Sequence, residues 1–105
     1  MEKIVEKTLL FDFYGELLTV HQQEIYESVV FNDMSLSEAA EEYGISRQGV
    51  HDLIRRCDRS LQEYENKLHM IERFEKIRKK LTAFRPQADE KTQAFIDEIT
   101  EDLES

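Results

Sequence analysis

A chain of 105 residues, 40% apolar and 35% charged, with three Gly and one Pro, fits one domain or one domain with an extension, and its composition favours helix over sheet. The single cysteine, Cys57, excludes an internal disulfide and suits a reducing cytosol, and no apolar run approaches the roughly 18–20 residues that span a bilayer. A net charge of −9 opposes general attraction to phosphate, so the distribution of charge along the chain decides what it can bind. The expectation is a cytoplasmic, all-α protein.

The opening stretch, MEKIVEKTLLFDFYGELL, is amphipathic and acidic, unlike a signal peptide. Ile4, Val5, Thr8, Leu9, Phe11 and Leu18 recur at helical spacing, and Gly15 marks the weak point at the helix end. Phe11, Phe13 and Tyr14 are too dense for one helix face, so this segment is expected to touch more than one neighbour. Thr19 and Gln22 form a capping box for a second helix, whose buried stripe is Ile25, Tyr26, Val29 and Val30. FNDMS ends it. Ser35 and Glu38 form a second capping box, opening a helix with Ala39, Ala40 and Tyr43, and Gly44 suits the left-handed position beyond its end. Ser46 caps a fourth helix.

No stop signal follows until Arg85-Pro86. Val50, Ile54, Cys57, Leu61, Tyr64, Leu68 and Ile71 alternate at steps of four and three, a heptad seam, and the series continues as Phe74, Ile77, Leu81 and Phe84 with one irregular step near Phe74. Unbroken, residues 47–85 would make a helix of roughly 58 Å at 1.5 Å per residue. Either it bends near Glu65-Asn66, or it projects and pairs with something. The seam predicts a homodimer through Leu61, Tyr64, Leu68 and Ile71, with help from the final helix. After Pro86 a last helix carries Phe95, Ile96, Ile99 and Leu103 on one face and acids elsewhere. The expected organisation is a domain over 1–64 and a helical extension over 65–105 that dimerises or packs as a tail.

Within SLSEAAEEYGISRQGVHDLIRRCDRSL the pattern is that of a helix-turn-helix. A small residue, Ala39 or Ala40, lets the helices cross closely. Gly44 supplies positive φ at the turn, Ile45 plugs the gap behind it, and Val50 and Ile54, helped by Leu53, anchor the second helix. Its other face presents Arg47, Gln48, His51 and Arg55. The same stretch looks like the end of bacterial sigma factors that reads the upstream promoter element, and LLTVHQQEIYESVVFNDMS fits the helix that precedes it there. Over nearly its full length, through TLLFDFYGELLT and VHQQEIYESVVFNDMSLSEAAEEYGISRQGVHDLIRR, the chain resembles the YlxM family of helix-turn-helix proteins. With the helices read above, that resemblance makes the fold an all-α helical bundle with a sigma-like helix-turn-helix and a long C-terminal helical extension. It also implies a regulatory, DNA-binding role and a link to the signal recognition particle pathway. Carried over residue by residue, the recognition face is Ser46, Arg47, Gln48, His51 and Arg55, with Arg56 and Arg59 beside the backbone of a bound duplex. Asp52 is an unhelpful charge among them.

The charge divides to match. Residues 1–46 hold two lysines against ten acids, net −8. Residues 47–85 hold eleven Lys/Arg against six acids, net +5, and residues 86–105 hold one lysine against seven acids, net −6. Surface fields fade over about 8 Å at physiological salt, so the basic middle segment is what a nucleic acid would meet. The acidic last helix is placed to fold back on the basic RFEKIRKKLTAFR.

Other chemistry is sparse. His21, His51 and His69 lack partners at metal-ligand spacing, one cysteine is too few for a zinc site, and Cys57 reads as a small core residue. No nucleophile–base arrangement or phosphate-cradling loop stands out, so neither an enzyme nor a cofactor is expected. Two functions compete: a DNA-binding regulator, and an adaptor that keeps the sigma-like fold and holds a protein or RNA component of the signal recognition particle pathway without reading DNA.

Overall fold

A computed structural model describes residues 3–104, which form helices and turns with no strand among the described residues. By internal contact the chain divides into two units, Met1–Leu68 and His69–Ser105, against the 1–64 and 65–105 read from sequence.

The first unit comprises α1 (Lys3–Tyr14), a 3-10 turn (Gly15–Leu17), α2 (Val20–Tyr26), α3 (Leu36–Tyr43) and α4 (Arg47–Leu68). Both capping boxes are present. Thr19 Oγ1 accepts from Gln22 N–H while the Gln22 side chain accepts from Thr19 N–H. Ser35 and Glu38 do the same for α3. Each box satisfies two backbone donors that a helix start otherwise leaves open. Beyond α2 the chain widens into a π-helical turn (Glu27–Phe31), closed by Asn32 N–H on Glu27 O, so the helix ends one irregular turn before FNDMS.

Helices α1, α2 and α3 all pack against α4. Ile25, Ala39 and Val50 are fully buried and are surrounded by Val29, Met34, Leu36, Ala40, Tyr43, Ile45, Leu53 and Ile54. Tyr14, Leu18, Tyr26, Cys57 and Leu61 complete the interior. A buried aliphatic side chain contributes roughly 1.5–3 kcal/mol, so this set dominates the stability of the unit. The aromatic cluster of α1 divides as its density required. Phe11 stacks on Tyr26 at 5.4 Å and meets Phe31, while Tyr14 meets Tyr64 of α4. Gly15 is a site of close approach, because a Cβ there would come within 3.1 Å of the Phe11 ring.

Two features differ from the sequence reading. Residues 47–85 are not one helix: α4 ends at Leu68, His69 adopts φ 54, and α5 (Met70–Phe84) begins anew. The break falls beyond the Glu65-Asn66 bend considered from sequence. The heptad seam is also, over its first half, the face that α4 turns to α1–α3. Leu61, expected at a dimer contact, is completely buried in the monomer. Tyr64 is half-buried against Tyr14, Leu68 is exposed and Ile71 is half-buried.

The second unit is a hairpin of α5 and α6 (Glu90–Glu104), joined by a 3-10 turn (Arg85–Gln87) that contains Pro86. Arg85 binds Asp97 through Nε at 2.8 Å and Nη2 at 2.9 Å, and Arg78 faces Glu104 at 3.7 Å. Those two pairs require antiparallel helices. Asp89 caps α6 by accepting the Thr92 N–H at 2.7 Å. The Thr92 hydrogen bonds hold the Asp89 carboxyl below its usual range, and Arg85 does the same to Asp97. Of the stripe expected on α6, Ile96 is buried and Ile99 and Leu103 are half-buried, but Phe95 is 60% exposed. Phe95 lies about 100° from Ile96 around the helix, which takes it off the face that meets α5.

Candidate nucleic-acid interface

The geometry between α3 and α4 is that of a helix-turn-helix. Ala39, fully buried, occupies the crossing; Ala40 is half-buried beside it. Gly44 adopts φ 67, ψ 34, and its N–H returns to Ala40 O, with Ile45 N–H on the same carbonyl. This left-handed residue closes α3 and redirects the chain within one turn. Ser46 Oγ then accepts the Gly49 N–H at 2.9 Å and caps α4. Gly49 leaves room for that cap, since a Cβ there would come within 3.0 Å of the hydroxyl.

Anchored by Val50, Leu53, Ile54 and Cys57, α4 carries Ser46 at its cap and Arg47, Gln48, His51, Arg55, Arg56 and Arg59 along its length, all exposed. These are the seven residues proposed from sequence, and the first turns of the helix gather four of them. Arg47, Gln48 and His51, with Leu36, line a shallow depression of about 350 Å³. Arg55, Arg56 and Arg59 continue down the helix.

Asp52 is more connected than its charge alone suggested. Its Oδ1 accepts from Gln48 Nε2 at 2.9 Å and lies 3.7 Å from His51 Nδ1. The four-residue spacing from Gln48 to Asp52 is the signal that sequence reading passed over. Asp52 thereby fixes the orientation of an amide that would otherwise swing freely.

The electrostatics are local. The whole unit Met1–Leu68 carries seven Lys/Arg against fourteen acids, net −7, and α4 alone holds five against four. Two of those four acids, both half-buried, bind side chains of neighbouring helices. Asp58 accepts from the Tyr26 hydroxyl at 2.6 Å and from Lys7 Nζ at 3.4 Å, and Glu65 accepts from the Tyr14 hydroxyl at 2.5 Å. In formal charge, Asp52, Asp58, Glu63 and Glu65 all stand against Arg47, Arg55, Arg56, Arg59 and Lys67. The helix α4 is net +1 within an acidic unit, and its arginines are exposed. Burial, the hydrogen bond to Asp58 and the Asp58 charge push the Tyr26 hydroxyl far above its ordinary range. Burial, reinforced by Asp58, raises the Cys57 thiol to about 11, which suits a core residue and not a nucleophile. No group of three or more His, Cys, Asp or Glu with metal-binding geometry occurs among the described residues. No helix among them is long and apolar enough to cross a membrane.

Residues 1–102 match the family described as "Putative helix-turn-helix protein, YlxM / p13 like". The chain is similar to the UPF0122 protein of Thermoanaerobacter sp. (strain X514), 40% identical over 105 residues that cover 92% of this chain and 90% of that protein. It is 41% identical over 104 residues to the UPF0122 protein of Shouchella clausii, covering 94% and 95% of the two chains. It is 41% identical over 101 residues to that of Listeria monocytogenes serovar 1/2a, covering 96% and 90%.

Proposed function

We propose that this chain, which belongs to the YlxM/p13-like helix-turn-helix family, binds double-stranded DNA through α4 and acts by binding alone, without catalysis, in the cytoplasm. The observation that carries the reading is the division of α4 into two faces. Val50, Cys57 and Leu61 are fully buried on one, and Arg47, Gln48, His51 and Arg55 are exposed on the other. In this reading Arg47 and Arg55 donate to base-edge acceptors such as guanine O6 and N7, Gln48 reads adenine, and Arg56 and Arg59 meet phosphates.

The test is a duplex-binding titration across a salt series. Arg47→Ala and Arg55→Ala should keep the fold and weaken binding by roughly 1–3 kcal/mol each where they touch bases. Arg59→Ala should weaken binding to all sequences alike and flatten the salt slope by about one. A wild type that binds no duplex at low salt would remove this reading.

A second reading is favoured by the −7 charge of the first unit and by Asp52 in the middle of the exposed face. It is an adaptor that holds a protein or RNA component of the signal recognition particle pathway. The same titration with an RNA hairpin in place of duplex DNA separates it from the first.

A further inference from the structure

We propose that the α5–α6 hairpin is completed by the hairpin of a second copy of this chain, the two forming a four-helix bundle. His69–Ser105 is shorter than the roughly 40 residues below which a fold usually needs disulfides, metals or self-association. It contains no cysteine, and no metal-binding cluster occurs among its described residues. Among its described residues Ile96 is the one buried core residue, while Ile77, Phe84 and Phe95 are 45%, 52% and 60% exposed. Two helices of 15 residues each cannot cover those side chains between themselves. Antiparallel bundles solve this by adding a second pair.

Charge identifies the occupant as a second copy. Helix α5 carries five Lys/Arg against two acids, net +3, and α6 carries one lysine against six acids, net −5. A partner that offers an acidic helix to α5 and a basic helix to α6 is this same hairpin turned about a two-fold axis. The pattern holds residue by residue. On α5, Lys80 lies one turn from both Ile77 and Phe84 on a shared face, and on α6, Glu98 lies one turn from Phe95. When α5 of one copy meets α6 of the other, Phe84 and Ile77 cover the partner copy's phenylalanine, and each lysine faces a glutamate. An open depression of about 450 Å³ lies beside Phe95, lined also by Lys91, Thr92, Ala94 and Glu98. This interface differs from a coiled coil along α4, whose seam from Val50 to Leu61 is occupied within the monomer by α1–α3.

The test is sedimentation of the full chain at one to one hundred micromolar. Wild type should be a dimer, and Phe84→Glu and Phe95→Glu, both at exposed positions, should be monomers. Lys80→Glu and Glu98→Lys should each weaken the dimer about threefold to tenfold, and mixing the two variants should restore wild-type affinity in a heterodimer. A contact within one chain could not produce that rescue. Because the hairpin variants also lose bundle stability, hydrogen exchange on wild type gives a second readout. Amides of α6 should lose protection on dilution while those of α4 keep theirs. A monomeric wild type, an undiminished dimer in Phe84→Glu and Phe95→Glu, failure of the mixture to restore the dimer, or α6 protection independent of concentration would each overturn the proposal.

Discussion

Gln48 Nε2 donates to Asp52 Oδ1 at 2.9 Å across one turn of α4, so the exposed amide most suited to reading a base is held by a carboxylate beside it. The arrangement sets orientation against charge. Asp52 biases the amide toward one pose and, on the proposed DNA-binding reading, places a negative group where phosphate would approach. Asp52→Ala should therefore raise affinity for non-specific duplex by about 0.5–1 kcal/mol, the scale of one exposed charge, and reduce discrimination between sequences. Fluorescence anisotropy with two unrelated duplexes over a salt series reads both effects. Unchanged affinity for both would mean that this face does not meet the phosphates.

The devices legible in the sequence are local ones. Thr19 with Gln22, Ser35 with Glu38, Gly44 and Ser46 each act within a few residues, and the structure places every one in its expected role. Heptad spacing is less decisive, since it reports which side of a helix is apolar but not what covers it. Leu61 is covered by its own monomer, and the apolar series runs on past His69 although the helix does not. Histidine is enriched at positive φ among non-glycine residues, but such conformations are uncommon for it, so His69 alone is too weak a signal to announce the break. Asp58 and Glu65 look like surface acids of a basic segment. Only the packing of α1 and α2 onto α4 reveals that they serve Tyr26 and Tyr14.

Gly44 is the turn position where a side chain is strained by backbone alone. A Cβ there would meet nothing within 4 Å, yet φ is 67. Gly44→Ala should cost about 1–2 kcal/mol, the penalty of the left-handed region, and Gly44→Asn should cost less because asparagine tolerates it. Urea denaturation of the three proteins gives the order. Equal midpoints for glycine and alanine would show that the turn relaxes to negative φ.

Cys57 links stability to alkaline pH. Its folded-state thiol is raised from 9.0 to about 11, first by burial and then by Asp58. A raised value means that the unfolded chain loses its proton first as pH rises. The contribution is therefore complete below pH 9 and declines between pH 9 and about 11. Urea midpoints should fall across that window, and Cys57→Ala should flatten the fall. At pH 8 a disulfide reagent should label Cys57 only at the rate of unfolding, and rapid labelling of native protein would contradict the burial.

The Tyr26–Asp58 hydrogen bond at 2.6 Å joins α2 to α4. Tyr26→Phe removes the donor and should cost about 1 kcal/mol, while Asp58→Ala strands a buried hydroxyl and should cost about 1–3 kcal/mol. Lys7 reaches the other carboxylate oxygen at 3.4 Å from a partly exposed position, so Lys7→Ala should change little. The double variant Tyr26→Phe/Asp58→Ala should be more stable than the sum of the single effects implies, by about 1 kcal/mol, because no hydroxyl is then left without an acceptor. Strict additivity in urea denaturation would mean that water replaces the carboxylate. In that case Asp58 would owe its position on α4 to the Lys7 pair or to helix packing, and not to Tyr26.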